Sequence, residues 1–251
     1  MFGPKGFGDP FGDSAAPPPP TRPPIVNAIA DITEQIQRTC IEKGREPSSV
    51  KLVAVTKTRT VEEVKLALDA GVEDLGENYI QEAREKARKL PGARWHMVGH
   101  LQKNKVNLAV DLFEVIHSLD NAGLIRRLEK RCEARHRRLT GLIQVNLGDE
   151  KTKYGLKPDA VFSLLDELRD SPPEHLRLSG LMTIPPPVSD AEENRPHFRR
   201  LAELLDEIEE RKYSFWSGRE LSMGMSDDYL VAIEEGATMI RLGRKIFGAR
   251  H

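Results

Sequence analysis

A lysine that directly follows a short apolar segment is the first candidate for chemistry in this sequence. Residues 50–57 read Val-Lys-Leu-Val-Ala-Val-Thr-Lys, and such an apolar run is typical of a strand buried on both faces of a parallel sheet. Lys57 then stands where the strand should end. Partial burial favours the neutral amine, which can form a Schiff base with an aldehyde. A lysine that only extends its ammonium group into water is the alternative.

Two further polar residues follow other apolar segments. Asn78 comes after the second predicted strand, and Lys153 lies in the loop after the fifth. The Asn78 amide can donate a hydrogen bond to a phenolic oxygen, and the Lys153 ammonium can stabilise that oxygen as an anion. His100 could act as an acid or a base, but a histidine at a loop start is more often structural or exposed, so it is left unassigned.

The last two predicted strands are followed by residues suited to an anion. Ser226 precedes Asp227 and Asp228, which are suited to the first turn of a helix, and Gly243 permits close approach to the backbone. Loops after strands seven and eight of α/β barrels often form a phosphate site. The alternative is that Ser226 only caps a helix.

A buried cation is predicted on the last strand. Arg241 lies between Ile240 and Leu242, so its guanidinium should point into the mouth of a barrel. A guanidinium in that position needs an acceptor and does not give up its proton. The ring nitrogen of a bound heterocycle would serve, and a buried salt bridge to Glu77 or another carboxylate is the alternative.

Short apolar runs alternate with amphipathic segments throughout the chain. Strands are predicted at residues 51–56, 72–75, 94–98, 114–118, 141–146, 177–183, 220–223 and 238–242. Helices are predicted at residues 25–43, 60–69, 79–89, 103–109, 121–134, 158–170, 190–212 and 227–235. This alternation indicates parallel strands joined by crossover helices, and eight of them favour a single (β/α)8 TIM-type barrel with an extra N-terminal helix. An open doubly wound sheet competes, but no Gly-x-Gly-x-x-Gly turn follows the first strand.

Composition limits the partners. The 38 basic and 39 acidic side chains nearly cancel, so we expect no nucleic-acid partner. No apolar run is long enough to span a bilayer, so we expect no membrane partner. Cys40 and Cys132 lack metal-ligand spacing, which is typical of reduced structural cysteines, and a cytoplasmic location is the expectation. Residues 1–24 are rich in proline and glycine and predict a disordered tail, whereas residues 25–251 form the barrel domain.

Several ordered motifs resemble the pyridoxal phosphate homeostasis protein family, whose barrel is similar to the N-terminal barrel of bacterial alanine racemases. The matching segments are Leu-Val-Ala-Val-Thr-Lys-Thr at 52–58, Gly-Glu-Asn-Tyr at 76–79, Trp-His-Met-Val-Gly-His-Leu-Gln-Lys-Asn-Lys at 95–105, Gly-Leu-Met-Thr-Ile at 180–184, Leu-Ser-Met-Gly-Met-Ser-Asp-Asp at 221–228 and Arg-Leu-Gly-Arg-Lys-Ile-Phe-Gly-Ala-Arg at 241–250. They extend from about Ile25 to the end of the chain.

The resemblance implies pyridoxal 5'-phosphate (PLP) as the cofactor. It implies that Lys57 forms the Schiff base, that Asn78 and Lys153 lie by the ring oxygen, and that Arg241 faces the pyridine nitrogen. Ser226 and the amides around Gly243 and Arg244 would hold the phosphate, with Ser222 as a weaker candidate. The family usually has Ser or Thr where this chain has Arg244, so a hydroxyl donor is missing there.

The resemblance also implies what the protein does. Alanine racemases continue into a β domain that offers a tyrosine base, whereas this sequence ends at His251, so we expect a non-catalytic PLP carrier. It would act in PLP homeostasis and pass PLP to PLP-dependent apoenzymes, as a monomer or a weak dimer. The alternatives are a PLP-dependent amino-acid racemase or related enzyme, and an interaction protein that uses the proline-rich tail.

Overall fold

Eight parallel strands form a closed barrel in sequence order, which confirms the predicted (β/α)8 architecture. The computed structural model describes residues 23–148 and 154–249. Ala54 on the first strand pairs with Leu75 of the second and with Leu242 of the eighth, so the sheet closes on itself. The strands are β1 Lys51–Val55, β2 Asp74–Glu77, β3 Arg94–Met97, β4 Val115–Leu119, β5 Leu139–Val145, β6 Leu176–Thr183, β7 Trp216–Ser222 and β8 Met239–Leu242.

Helices surround the barrel and bury their apolar faces against it. They are α1 Pro24–Glu42, α2 Val61–Asp69, α3 Ile80–Ala87, α4 Val106–Leu112, α5 Ala122–Ala134, α6 Pro158–Glu167, α7 Arg195–Glu210, α8 Tyr229–Glu234 and α9 Arg244–Phe247. The main core lies between these helices and the outer face of the sheet. No helix in the described part of the chain combines the length and apolar character that a membrane crossing needs.

The extra N-terminal helix is present. Helix α1 begins at Pro24, because proline is tolerated in the first turn, and it buries Ile29, Ile32, Ile36 and Cys40 at helical spacing. It packs against α2, α8 and α9. The predicted tail covers residues 1–24. Its residues 1–22 lie outside the described part of the chain, so the role of the tail stays a prediction.

The predicted position of β2 is wrong by two residues. The strand covers Asp74–Glu77 rather than residues 72–75, so Gly76 and Glu77 belong to the sheet and not to the following loop. Glycine and glutamate are poor strand formers in general. Here a Cβ at Gly76 would lie 3.0 Å from Val53 inside the barrel, and Glu77 is buried because it pairs with Lys86. Helix α9 was also not predicted, since it has only four residues.

The interior of the barrel is partly polar. Six apolar side chains form a separate inner cluster, namely Val53, Val98, Val115, Leu142, Met182 and Met239. Four buried polar side chains on the strands are linked to one another by hydrogen bonds, namely His96, His117, Ser222 and Arg241. Most interiors of such barrels are filled by branched apolar side chains, so these polar groups are unusual.

Candidate functional site

The predicted site residues lie at the carboxyl ends of neighbouring strands. Lys57 follows β1, Asn78 follows β2, Ser226 follows β7, and Arg241 lies on β8. Because β7 pairs with β8, β8 with β1 and β1 with β2, these four strand ends form one continuous arc of the barrel mouth. The Lys57 side chain is partly buried, as expected for a residue just past a buried strand.

A buried ion pair holds the residue before Lys57. The Thr56 hydroxyl donates to the Glu77 carboxylate at 2.6 Å, and the Lys86 ammonium donates to the same oxygen at 2.7 Å and to the Thr56 carbonyl at 2.5 Å. Burial raises the pKa of the Glu77 carboxyl, although the Lys86 and Thr56 hydrogen bonds oppose that rise. The backbone that carries Lys57 is therefore attached to both β2 and α3.

Thr58, the residue after Lys57, is also held by side chains of α3. The Thr58 amide donates to the Glu82 carboxylate at 2.5 Å, and Lys86 donates to that carboxylate at 2.6 Å. Thr58 has a φ of 64°, which a β-branched residue rarely adopts. Lys86 and Glu82 were not predicted as site residues, because a charged helix residue looks the same in sequence whether it faces water or a buried loop.

Asn78 packs against Gly99, which lies in the segment after β3. A Cβ at Gly99 would lie 2.6 Å from the Asn78 carbonyl oxygen, so only glycine fits at that contact. Asn78 is partly buried and lines a cavity of about 460 Å³, together with His100 and Tyr154, whose rings stack 3.9 Å apart. Lys153 lies outside the described residues, so its predicted place by the ring oxygen stays a prediction.

Arg241 is buried without a carboxylate partner. The residue is 5% exposed, and its guanidinium donates to the Ser222 hydroxyl at 2.6 Å and to the Thr183 carbonyl at 2.8 Å. The alternative of a salt bridge to Glu77 is wrong, since Glu77 pairs with Lys86. Burial lowers the pKa of Arg241 to about 10, so the group keeps its charge at neutral pH. Both hydrogen-bond acceptors of Arg241 in the described residues are neutral, and the Asp228 carboxylate acts on its charge without a hydrogen bond.

Ser222 is fully buried, and its hydroxyl contacts protein groups inside the barrel. It accepts from Arg241 and lies 2.8 Å from Nδ1 of His117. His117 in turn lies 2.9 Å from His96, and His96 lies 2.8 Å from Asp74. The sequence signal for this chain of contacts was weak: His96 and His117 each occur singly within an apolar strand.

Ser226 does not cap helix α8. The capping position is Asp228, whose carboxylate accepts from the Met225 amide at 2.6 Å. The Ser226 hydroxyl instead accepts from the Lys245 amide at 3.2 Å, which joins the loop after β7 to the start of α9. The two predicted phosphate loops are thus in contact with each other.

Gly243 and Arg244 begin helix α9 at the same place. Gly243 has a φ of −115°, and an added Cβ would meet only ordinary contacts, the nearest at 3.4 Å from the Val55 carbonyl oxygen. Neither backbone strain nor packing within the protein therefore demands glycine here. The Arg244 guanidinium is exposed and pairs with Asp227 at 2.5 Å, so it does not stand in for the missing hydroxyl within the described contacts.

Arg59, which was not predicted to have a role in the site, joins the two halves of this arc. Arg59, in the loop after β1, is buried and donates to the carbonyl oxygens of Gly248 at 2.6 Å and Ala249 at 3.0 Å. Its guanidinium also lies over the Phe247 ring. Arg59 thereby connects the loop that carries Lys57 to the end of α9.

Comparison with known proteins places this fold and these motifs in a family. The family described as alanine racemase, N-terminal domain, matches residues 27–251. A pyridoxal phosphate homeostasis protein of Aquifex aeolicus is 38% identical over 224 residues, which cover 88% of this chain and 96% of the relative. The match agrees with the resemblance that the motifs predict.

Two solved structures of one relative are similar over the whole barrel. PipY of Synechococcus elongatus, solved without PLP, superposes with a TM-score of 0.80 at 33% identity and covers 89% of this chain and 100% of PipY. PipY with PLP bound gives a TM-score of 0.79 at 32% identity with the same coverage. The chain therefore belongs to the alanine racemase N-terminal domain family and, within it, to the pyridoxal phosphate homeostasis proteins.

Proposed function

We propose that this protein binds PLP as a Schiff base on Lys57 and acts in PLP homeostasis by delivering PLP to apoenzymes. The observation that carries the proposal is the similarity, across the whole barrel, to PipY with PLP bound. The position of Lys57 supports it, because a partly buried amine at the carboxyl end of a barrel strand lies where such folds bind their ligands.

The residues at the barrel mouth fit PLP. Arg241 is a buried cation whose two contacts among the described residues are neutral oxygens, so three of its five N–H groups are left for a ligand. An anionic ligand would balance the buried charge. Gly243 lacks a side chain although no contact among the described residues requires that, which leaves space at the start of α9, where the Ser226 hydroxyl accepts from the Lys245 amide.

Each residue then has one task. The Lys57 amine binds the aldehyde carbon covalently, and one water leaves. Asn78 donates to the ring oxygen, and Lys153 is proposed beside it. Arg241 donates to the ring nitrogen and, as a fixed cation, keeps that nitrogen unprotonated.

The phosphate is assigned to the arc formed by β7, β8 and their loops. The Ser226 hydroxyl and the amides of Gly243 and Arg244 would donate to its oxygens. Ser222 is less suited to this task than the resemblance implies, because it is fully buried and already bonded to Arg241 and His117. PLP contributes the electrophilic aldehyde that reacts with a primary amine.

Titration with PLP tests the binding mode. A visible absorbance band from the Schiff base should appear with the wild-type protein and be absent from Lys57→Ala. Lys65→Ala is the matched control, because Lys65 is an exposed lysine on α2 that pairs with Asp69. Loss of the band in both variants, or in neither, would contradict the assignment to Lys57.

Transfer distinguishes a carrier from an enzyme. Mixing the PLP-loaded protein with a PLP-dependent apoenzyme should restore the activity of that enzyme faster than the spontaneous release of PLP allows. Steady racemisation of alanine by the purified protein would instead support the enzyme alternative.

A further inference from the structure

An unbroken series of hydrogen bonds runs through the interior of the barrel and ends on Arg241. From the amino end of the barrel, Asp74 Oδ1 lies 2.8 Å from His96 Nε2, and His96 Nδ1 lies 2.9 Å from His117 Nε2. His117 Nδ1 lies 2.8 Å from Ser222 Oγ, which lies 2.6 Å from the Arg241 guanidinium. All five residues are buried.

One assignment of donors and acceptors gives every group in this series a partner, including the buried Ser222 hydroxyl hydrogen. Arg241 can only donate, so Ser222 Oγ accepts from it, and the Ser222 hydroxyl hydrogen is free to point to His117 Nδ1. A neutral His117 that accepts at Nδ1 must carry its proton on Nε2 and donate to His96 Nδ1. His96 then donates from Nε2 to the Asp74 carboxylate. In this assignment no donor or acceptor of the series is left without a partner.

The protonation states agree with that direction. Burial lowers the pKa of His117 well below its ordinary value, and the positive charge of Arg241 lowers it further, so His117 is neutral. Burial alone would raise the pKa of Asp74, but the hydrogen bond from His96 and the positive charge of Arg94 lower it overall, so Asp74 is ionised. The series begins at an anion and ends at a cation.

We propose that Ser222 and His117 are positioning residues that orient the Arg241 guanidinium toward the ring nitrogen of the ligand. The inference rests on the proposed function, since it takes PLP as the ligand. The Thr183 carbonyl fixes one guanidinium nitrogen and Ser222 fixes the other, so the plane of the group is determined. His117 holds the Ser222 hydroxyl in the orientation that leaves its oxygen free to accept from Arg241.

Two shape-matched variants of His117 separate this role from simple packing. In His117→Asn the side-chain oxygen can take the place of Nδ1 and accept from Ser222, whereas His117→Leu has the same branched shape with no acceptor. Both variants lose the contact with His96, so they differ in the acceptor at the Ser222 end and in the amide NH2 group that Leu replaces by a methyl group. We expect PLP to bind His117→Leu about tenfold more weakly than His117→Asn, which corresponds to the upper end of the net contribution of one neutral hydrogen bond.

The second ligand in the experiment is 1-deazapyridoxal 5'-phosphate, in which a C–H group replaces the ring nitrogen. If His117 acts through Arg241 on that nitrogen, the two variants should bind this analogue with affinities within about twofold of each other. The dissociation constants are measured by titration of the visible absorbance. Should His117→Leu fail to fold, Ser222→Ala compared with the wild type offers the same contrast, with the same loss expected for PLP only.

The outcomes are distinct. A difference between the variants for PLP that vanishes for the deaza analogue supports the inference. Equal losses for both ligands, or no loss for PLP, would overturn it while leaving PLP binding at Lys57 intact. If the wild-type protein bound neither ligand covalently at Lys57, the proposed function would fail, and the inference would fail with it.

Discussion

At the scale of single residues, the barrel mouth contains groups that can contact a ligand and groups that hold them in place. We propose that Lys57 and Arg241 belong to the first kind, and the order of residues along each strand predicted that both lie at the strand ends. Ser222 and Gly99 belong to the second kind, since Ser222 accepts from Arg241 and Gly99 packs against Asn78. The roles of the second kind could not be predicted, because they depend on contacts between strands.

Gly243 gives a test at this scale. Gly243→Ala should leave the free energy of unfolding nearly unchanged or raise it by up to about 1 kcal/mol, because the backbone conformation suits alanine and the nearest atom would be 3.4 Å away. PLP affinity should nevertheless fall, because the new methyl group occupies the space assigned to the phosphate. Urea denaturation and PLP titration measure the two effects.

Gly224→Ala is the matched control for that measurement. Gly224 has a φ of 90°, and an added Cβ would lie 2.6 Å from the Ala232 Cβ. Unlike Gly243→Ala, this variant should therefore lose free energy of unfolding. A stable Gly243→Ala protein with unchanged PLP affinity would contradict the proposed phosphate site.

At the scale of elements, the loop after β1 is held by β2 and α3 through Glu77 and Lys86. The prediction of β2 missed this link, because a glutamate after a glycine is more often part of a loop than of a buried strand. The pair lies inside the protein, where Lys86 is 5% and Glu77 0% exposed in their side chains. Its effect on stability should therefore exceed that of a surface pair.

Lys86→Met tests the link between these elements. Removal of one partner leaves the other charge buried and alone, so we expect a loss of about 3 to 5 kcal/mol in the free energy of unfolding. Lys65→Met removes the exposed Lys65–Asp69 pair on α2 and should cost no more than about 1 kcal/mol. Similar small losses in both variants would show that the buried pair does not secure the loop.

At the scale of the whole molecule, the sequence predicted the barrel because eight apolar strands alternate with amphipathic helices. It did not predict the polar interior, because a single histidine within an apolar strand, such as His96 or His117, does not reveal which residue it will meet across the barrel. Such contacts arise only when the sheet closes and strands far apart in sequence become neighbours. The chain of hydrogen bonds from Asp74 to Arg241 is thus a property of the closed barrel.

The buried His117 makes the stability of the PLP-free protein depend on pH. Its pKa is depressed in the folded state, so its stabilising contribution is fully present above the unfolded pKa of about 6.5 and is lost as pH falls, by at most about 1.4 kcal/mol per pH unit. Denaturation at several pH values should show this loss in the wild type. In His117→Asn that part of the loss should be absent, and parallel curves for the two proteins would contradict a neutral, buried His117.

The central claim is that Lys57 holds PLP covalently at the mouth of the barrel. The most direct measurement is borohydride reduction of the PLP-loaded protein, followed by peptide mapping by mass spectrometry. We expect one phosphopyridoxyl group, on the peptide that contains Lys57, and none at that position in the unreduced protein. A reduced protein whose modification lies on other lysines, with Lys57 unmodified, would contradict the claim.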